Sequence, residues 1–155
     1  MSAIEVFPTG VIFIVGALAI PFLRGLLQKV WILVLPLMVL GLVWGVPDGV
    51  SVYVAFLDYT LMPVSGDALS RLFAIIFSIM AFAGGLYGLN HCRTTEITAA
   101  YIYAGSAIGV TFAGDMLTLF VFWEAMALGS TIVLLSAGTS QASKAAMRYL
   151  IVHIL

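Results

Sequence analysis

Charged side chains are nearly missing from this chain. Asp, Glu, Lys and Arg make up 8% of its 155 residues, against about 25% in ordinary soluble domains. Hydrophobic residues make up 63% and the mean hydropathy is +1.20. A soluble domain of this size keeps a large exposed fraction and has no way to hide so much apolar surface. The net charge of -1 leaves no basic stripe to track phosphates, which argues against a nucleic-acid partner. Cys92 stands alone, so no intramolecular disulfide forms. With only His91 and His153 besides, a zinc or iron–sulfur centre is not expected, and no Walker-type or dinucleotide glycine motif points to another cofactor. The first residues carry Glu5 and no Lys or Arg, unlike a secretory signal, so the first apolar stretch is expected to remain as a membrane helix.

What is present is a series of apolar runs near membrane length. Hydropathy predicts helices at 6–23, 30–46, 69–89, 97–113 and 116–137, and a sixth at 145–155. The expected fold is therefore all-α integral membrane, with five transmembrane helices plus a truncated sixth. The sixth would reach about 16 Å, half a bilayer. The connecting segments sort by charge. One set holds Arg24, Lys29, Arg93, Lys144 and Arg148 with Glu96; the other holds Glu5, Asp48, Asp58, Asp67 and Asp115 with Arg71. Alternating the helices between two sides reproduces this division, and the positive-inside rule then puts the N-terminus outside and the basic side in the cytoplasm. The long connection 47–66 reads as a short hairpin or an interfacial segment. Asp67 and Arg71 have the spacing of an i,i+4 pair at the start of the third helix. Pro21 and Pro36 are expected to bend their helices. Trp31 and Trp44 are placed as an aromatic belt would place them. Small residues four apart (Gly41/Gly45, Gly84/Gly88, Gly105/Gly109, Ala125/Gly129) suggest close helix approach.

Within 116–137, Glu124 is the only ionisable residue. Nine residues past Asp115, its carboxyl is about 13 Å deep in a hydrocarbon layer about 30 Å thick. A charge there costs about 2.5–3.5 kcal/mol on insertion scales, so an ionisable group at that depth points to an ion or proton route. A carboxyl that stays protonated and only hydrogen-bonds a neighbouring helix is the structural alternative. Glu124 shares a helix face with Leu117, Phe120, Val121, Ala127, Leu128 and Thr131. Lys144 and Arg148, four apart at the entry to the sixth helix, are candidates for a proton path or ordinary interfacial anchors. His153 lies about 12 Å past Ala145 and could relay protons.

Three segments resemble one family. Gly114-Asp115-Met116-Leu117-Thr118-Leu119-Phe120-Val121-Phe122-Trp123-Glu124 resembles the fifth-helix motif of the antiporter-like membrane subunits. Those subunits are shared by Mrp-type multisubunit cation/proton antiporters, by the proton-pumping arm of NADH:quinone oxidoreductase (complex I) and by membrane-bound hydrogenases. Gly66-Asp67-Ala68-Leu69-Ser70-Arg71-Leu72-Phe73 is similar to the family's third-helix start, and Lys144 to His153 to its sixth-helix entry. Among the branches, the wording is nearest to the D subunit of the Mrp-type antiporters. The resemblance covers the chain from Asp67 onward; the first two helices match only in hydropathy and topology.

The resemblance implies a proton-translocating subunit of a larger assembly in a cell (inner) membrane, multi-pass. Its partners would be the lipid bilayer and other membrane subunits, and it would move protons, with sodium or potassium as the exchanged cation. It implies no redox catalysis in this chain and no cofactor. It also implies that Glu124 pairs with a lysine on a seventh helix, in a fold of about fourteen helices built from two inverted repeats. The chain stops before that helix, so 1–155 is expected to be the N-terminal part of a longer subunit. A purely structural membrane subunit and a piece of an unrelated solute carrier are the competing expectations.

Overall fold

A computed structural model describes residues 7–154. The expectations for Glu5, for a helix start at Val6 and for the end at Leu155 lie outside the described residues. The chain is mostly helical: α1 Thr9–Ala19 with a 3-10 turn at Ile20–Phe22, α2 Gly25–Trp44, α3 Ala68–His91, α4 Thr94–Phe112, α5 Met116–Ser136 and α6 Ser140–Ile154. Between α2 and α3 lies an antiparallel hairpin, β1 Ser51–Phe56 and β2 Tyr59–Ser65. Three helices, α2, α3 and α5, are long and apolar enough to cross a membrane. In each, only 28% of the apolar window is buried against the rest of the protein. Water would not tolerate outward faces built from residues such as Leu26, Met80 and Val121, whereas hydrocarbon does.

The bundle is organised around α4, which packs against α1, α3 and α5. Half of its ten buried residues are small: Ala99, Gly105, Ser106, Ala107 and Gly109. A Cβ on Gly10 of α1 would stand 2.7 Å from the Gly105 carbonyl oxygen and the Gly109 nitrogen, so the two backbones touch. Gly129 of α5 meets the Ala99 carbonyl and the Tyr103 amide in the same way, at 3.1 Å. Of the four small-residue pairs, Gly105/Gly109 thus marks a real helix contact, Gly129 makes one from its pair, and Gly88 packs against Ile97 of α4. Gly41 and Gly84 face open space.

The prolines act through the carbonyls they leave without an amide partner. Pro36 cannot donate to Ile32 one turn earlier, and the buried Tyr101 hydroxyl donates to that oxygen instead, at 2.7 Å. Pro21 ends α1 rather than bending it: the Ile20 amide tightens onto Ala17, and the Trp31 indole donates to Gly16 at 2.9 Å. Trp31 is therefore a bridge between α1 and α2, and only the exposed Trp44 fits the belt position.

The hairpin is the outcome for the 47–66 segment. Pairing runs Val52↔Val64 and then Val54↔Leu61, so β2 carries one extra residue at Met62 and Pro63. A bulge is where a strand accommodates proline. It also frees the Met62 backbone: its amide donates to Asp115 at 2.6 Å and its carbonyl accepts from Gly114 at 2.9 Å. Arg71 departs from the expected partner. It pairs with Asp48 at 2.8 Å and donates to the Val46 carbonyl at 2.9 Å. Asp67 is occupied elsewhere, capping α3 by accepting from the Ser70 amide while the Ser70 hydroxyl accepts from the Asp67 amide. The Asp67 carboxyl is held below its ordinary range by those Ser70 bonds.

Asp115 caps α5 and anchors the hairpin together. Partial burial pushes its pKa up, but the Thr118 hydroxyl and amide and the Met62 amide outweigh this and hold it below the ordinary 3.8. A carboxyl with a depressed folded pKa contributes its stability above the unfolded value and loses it as pH falls through the folded one. The Met62–Asp115 anchor should therefore persist at neutral pH and weaken below about 3.8. Asp115→Ala should weaken it at neutral pH by about 1 kcal/mol, the usual worth of an N-cap, and the difference from the unmodified protein should shrink as pH falls below about 3.8. Amide hydrogen exchange at Met62 reads this directly, and unchanged protection in the variant would show that the carboxylate does not hold the hairpin.

Candidate functional site

The α5–α6 hairpin builds the site. Gly138, at φ +68, turns the chain out of α5, and Thr139 caps α6 by accepting from the Ala142 amide at 3.1 Å. This start at Ser140 corrects the expected one near Ala145. The spacing alone missed the polar cap, because Thr139, Ser140 and Gln141 look like loop residues when only apolar runs are counted. Those extra residues carry His153 deeper. Glu124 precedes the end of α5 by about 18 Å of helix, and His153 follows the start of α6 by about 20 Å. In an antiparallel pair the two therefore stand at the same level.

They meet there. His153 Nε2 lies 3.9 Å from Glu124 Oε1, with the side chains 18% and 29% exposed. Nε2 is buried and has no hydrogen-bond partner. The imidazole lies near-parallel to the Trp123 ring (centroids 6.1 Å apart, 12° between planes) and to the Tyr149 ring (5.7 Å, 23°). The Tyr149 and Ser130 hydroxyls are 3.1 Å apart. Ser130 already gives its one proton to the Ala127 carbonyl, at 2.9 Å, so Tyr149 supplies the proton between them. Thr131, the polar neighbour expected on the Glu124 face, turns its hydroxyl to the Ala127 carbonyl at 2.7 Å and stays with the backbone.

A carboxylate at this depth needs a cation, a donor or its own proton. The imidazole answers the first requirement when protonated and leaves the carboxyl to hold the proton when it is not. With one proton on the pair the site is either neutral or an ion pair, and neither state leaves an isolated charge.

The other two basic candidates fall elsewhere. Arg148 is exposed and lines a cavity of about 340 Å³ together with Tyr149, Val152 and His153. Lys144, one turn nearer the α5–α6 corner, is exposed and outside that cavity. Among the described residues neither makes an ion pair. Trp123 and Tyr149 are the site residues that sequence reasoning missed. Tyr149 is four residues before His153, which puts the two rings on one helix face, and that spacing was the available signal.

The ring stack gives an optical readout. An imidazole stacked on an indole alters its emission, so in a protein carrying Trp31→Phe and Trp44→Phe the Trp123 emission should change when His153 is replaced by Leu. Identical emission in the His153→Leu protein would mean that the two rings do not meet. No family model matches the chain, and no curated protein matches it.

Proposed function

We propose that this chain is part of a proton-translocating membrane subunit, of the kind found in multisubunit cation/proton antiporters and related proton-pumping complexes, with Glu124 carrying the proton. The observation that supports this reading best is the approach of Glu124 to His153, 3.9 Å apart at matching depth on neighbouring helices. Two titratable groups placed within reach in an otherwise apolar layer are the minimum a proton route needs. The likeness of 114–124 to the fifth-helix motif of the antiporter-like subunits supports the same reading from the sequence side.

In this reading the helices α1 to α5 cross the membrane and α6 enters it, with the N-terminus outside. Support comes from how the corners group. The hairpin, with Asp48 and Asp58, bonds the α4–α5 corner at Asp115. At the opposite end, Gln28 of α2 donates to the Ile20 carbonyl and approaches Thr94 of α4 at 3.5 Å, joining the corners that hold Arg24 and Arg93. Acidic corners thus gather at one end of the bundle and basic corners at the other, as the positive-inside rule requires of a membrane protein.

Two outcomes test the proposal. Glu124→Gln keeps size and hydrogen bonding but cannot exchange a proton. In the complete assembly it should lower cation/proton exchange by about 10²-fold or more, while the amount of assembled complex is unchanged. Unimpaired transport would leave Glu124 with a packing role only. For orientation, Cys92 is exposed at the α3–α4 corner. A membrane-impermeant thiol reagent applied to intact cells should leave it unmodified, and rapid labelling would reverse the topology.

A further inference from the structure

One large cavity belongs to neither the Glu124 site nor the hairpin. It has a volume of about 540 Å³ and lies between α3, α4 and α5. Phe77, Met80, Gly84, Ala100, Ala104 and Val133 form its apolar walls and floor, while Cys92, Glu96 and Ser136 supply polar atoms at one end. That end is the basic one, beside Arg93.

Its extent along the bundle is informative. On α4 the lining runs from Glu96 to Ala107 and stops, about 16 Å of helix. On α3 it runs from Phe77 to Cys92, about 22 Å, and on α5 from Val133 to Ala137, so the first two turns of α3 and the acidic-end half of α5 take no part. A protein helix crossing the membrane would need a groove about 30 Å long. This groove, about 16 Å along α4 and about 22 Å along α3, falls short of that and suits the length of a lipid in one leaflet. It is mostly apolar along its length; Tyr101 and Tyr103 also line it, and the Tyr101 hydroxyl is taken up by the Ile32 carbonyl.

The mouth carries both signs of charge. Glu96 accepts from the Arg93 amide through Oε2, at 3.2 Å. A carboxylate has acceptor sites beyond that one bond, and Oε1 remains for a donor at the mouth. Arg93 is exposed one turn away and its guanidinium suits a phosphate.

From this we infer that the groove is a binding site for one phospholipid of the basic-side leaflet, with an acyl chain laid over Gly84, Ala100 and Ala104. The headgroup is a primary ammonium on a phosphate, as in phosphatidylethanolamine: the ammonium donates to Glu96 and the phosphate faces Arg93. A choline headgroup has no N–H to donate, and a glycerol headgroup has no positive charge. The inference requires the membrane setting but not the proton chemistry of Glu124.

Two variants separate the chain from the headgroup. A Cβ on Gly84 meets nothing within 4 Å, so Gly84→Leu fills the groove without clashing with the bundle. Glu96→Gln removes the charge while Gln still serves the helix cap. The full-length subunit in its complex is purified into nanodiscs of equal parts phosphatidylethanolamine, phosphatidylcholine and phosphatidylglycerol, and retained lipid is counted by native mass spectrometry. The unmodified protein should retain one phosphatidylethanolamine in preference to the other two. Gly84→Leu should lower retention about tenfold, and Glu96→Gln should keep a bound lipid but lose the headgroup preference. Equal retention in the Gly84→Leu protein, or an unaltered preference in Glu96→Gln, would overturn the assignment. So would a cross-link from Cys92 to another protein segment seated in the groove.

Discussion

Close backbone approach to α4 is the constraint on which the rest of the structure depends. In a membrane, which three of the helices are long and apolar enough to cross, the surroundings are as apolar as leucine, so helices gain little from hydrophobic contact and associate through packing and hydrogen bonds instead. Gly10 against Gly105 and Gly109, and Gly129 against Ala99 and Tyr103, bring α1 and α5 down to backbone contact with α4. Phe122 then packs over Gly109, two turns into α5 from the fixed end at Asp115, and it is buried there. These contacts set the rotation of α5. With Phe122, Gly129 and Thr118 turned to α4, Glu124 projects toward the side where α6 docks. The position of the carboxyl follows from the small residues on the opposite face of its helix.

Polar groups in this bundle are few and nearly all local. The hydroxyls of Ser78, Thr98, Ser106 and Thr131 donate to the carbonyl one turn back in their own helices. That arrangement hides a hydroxyl in hydrocarbon without joining two helices. The long-range polar bonds are fewer and better placed. Tyr101 reaches the carbonyl freed by Pro36, Trp31 reaches α1, and Asp115 reaches the hairpin. Each of these takes up a backbone group that proline, a tightened helix end or a bulge had left over. The glutamate and histidine stand apart from this pattern, because neither is absorbed by a backbone partner. His153 Nε2 is left unpaired although it is buried.

Much of this was legible in the sequence. The six helices, and a lone acid near the middle of α5, follow from hydropathy and spacing. The departures share a cause. Hydropathy locates helix interiors and is blind to their caps, so α6 was expected five residues late and His153 was assigned too shallow a depth. Sequence spacing proposes partners and cannot rank them. Asp67 and Arg71 had helical spacing, but the Ser70 amide held Asp67 and left Arg71 for Asp48 across the chain reversal. Of the two readings of 47–66, the hairpin is the one that forms, and its bulge at Met62 and Pro63 breaks the period of two in β2. That irregularity delivers the bond to Asp115, a contact that no strand pattern could announce.

The family resemblance led to an expectation that Glu124 would lack a cation at its own depth until a seventh helix supplied a lysine. The α5–α6 hairpin changes that expectation, because an imidazole already stands beside the carboxyl. A lysine and a histidine are different partners for a buried acid. An ammonium group stays charged over the whole physiological range and pins a carboxylate in its ionised form. An imidazole is neutral or charged within that range and has two nitrogens, so it can take a proton on one side and release it from the other. His153 lies beside Glu124 and also lines the cavity with Arg148, Tyr149 and Val152. In the proposed route, a proton received from Glu124 would leave toward that cavity. If a lysine on a later helix also approaches Glu124, its charge would drive the proton from the acid toward the imidazole. The glutamate would then respond to the position of that helix, while the histidine would carry the proton onward.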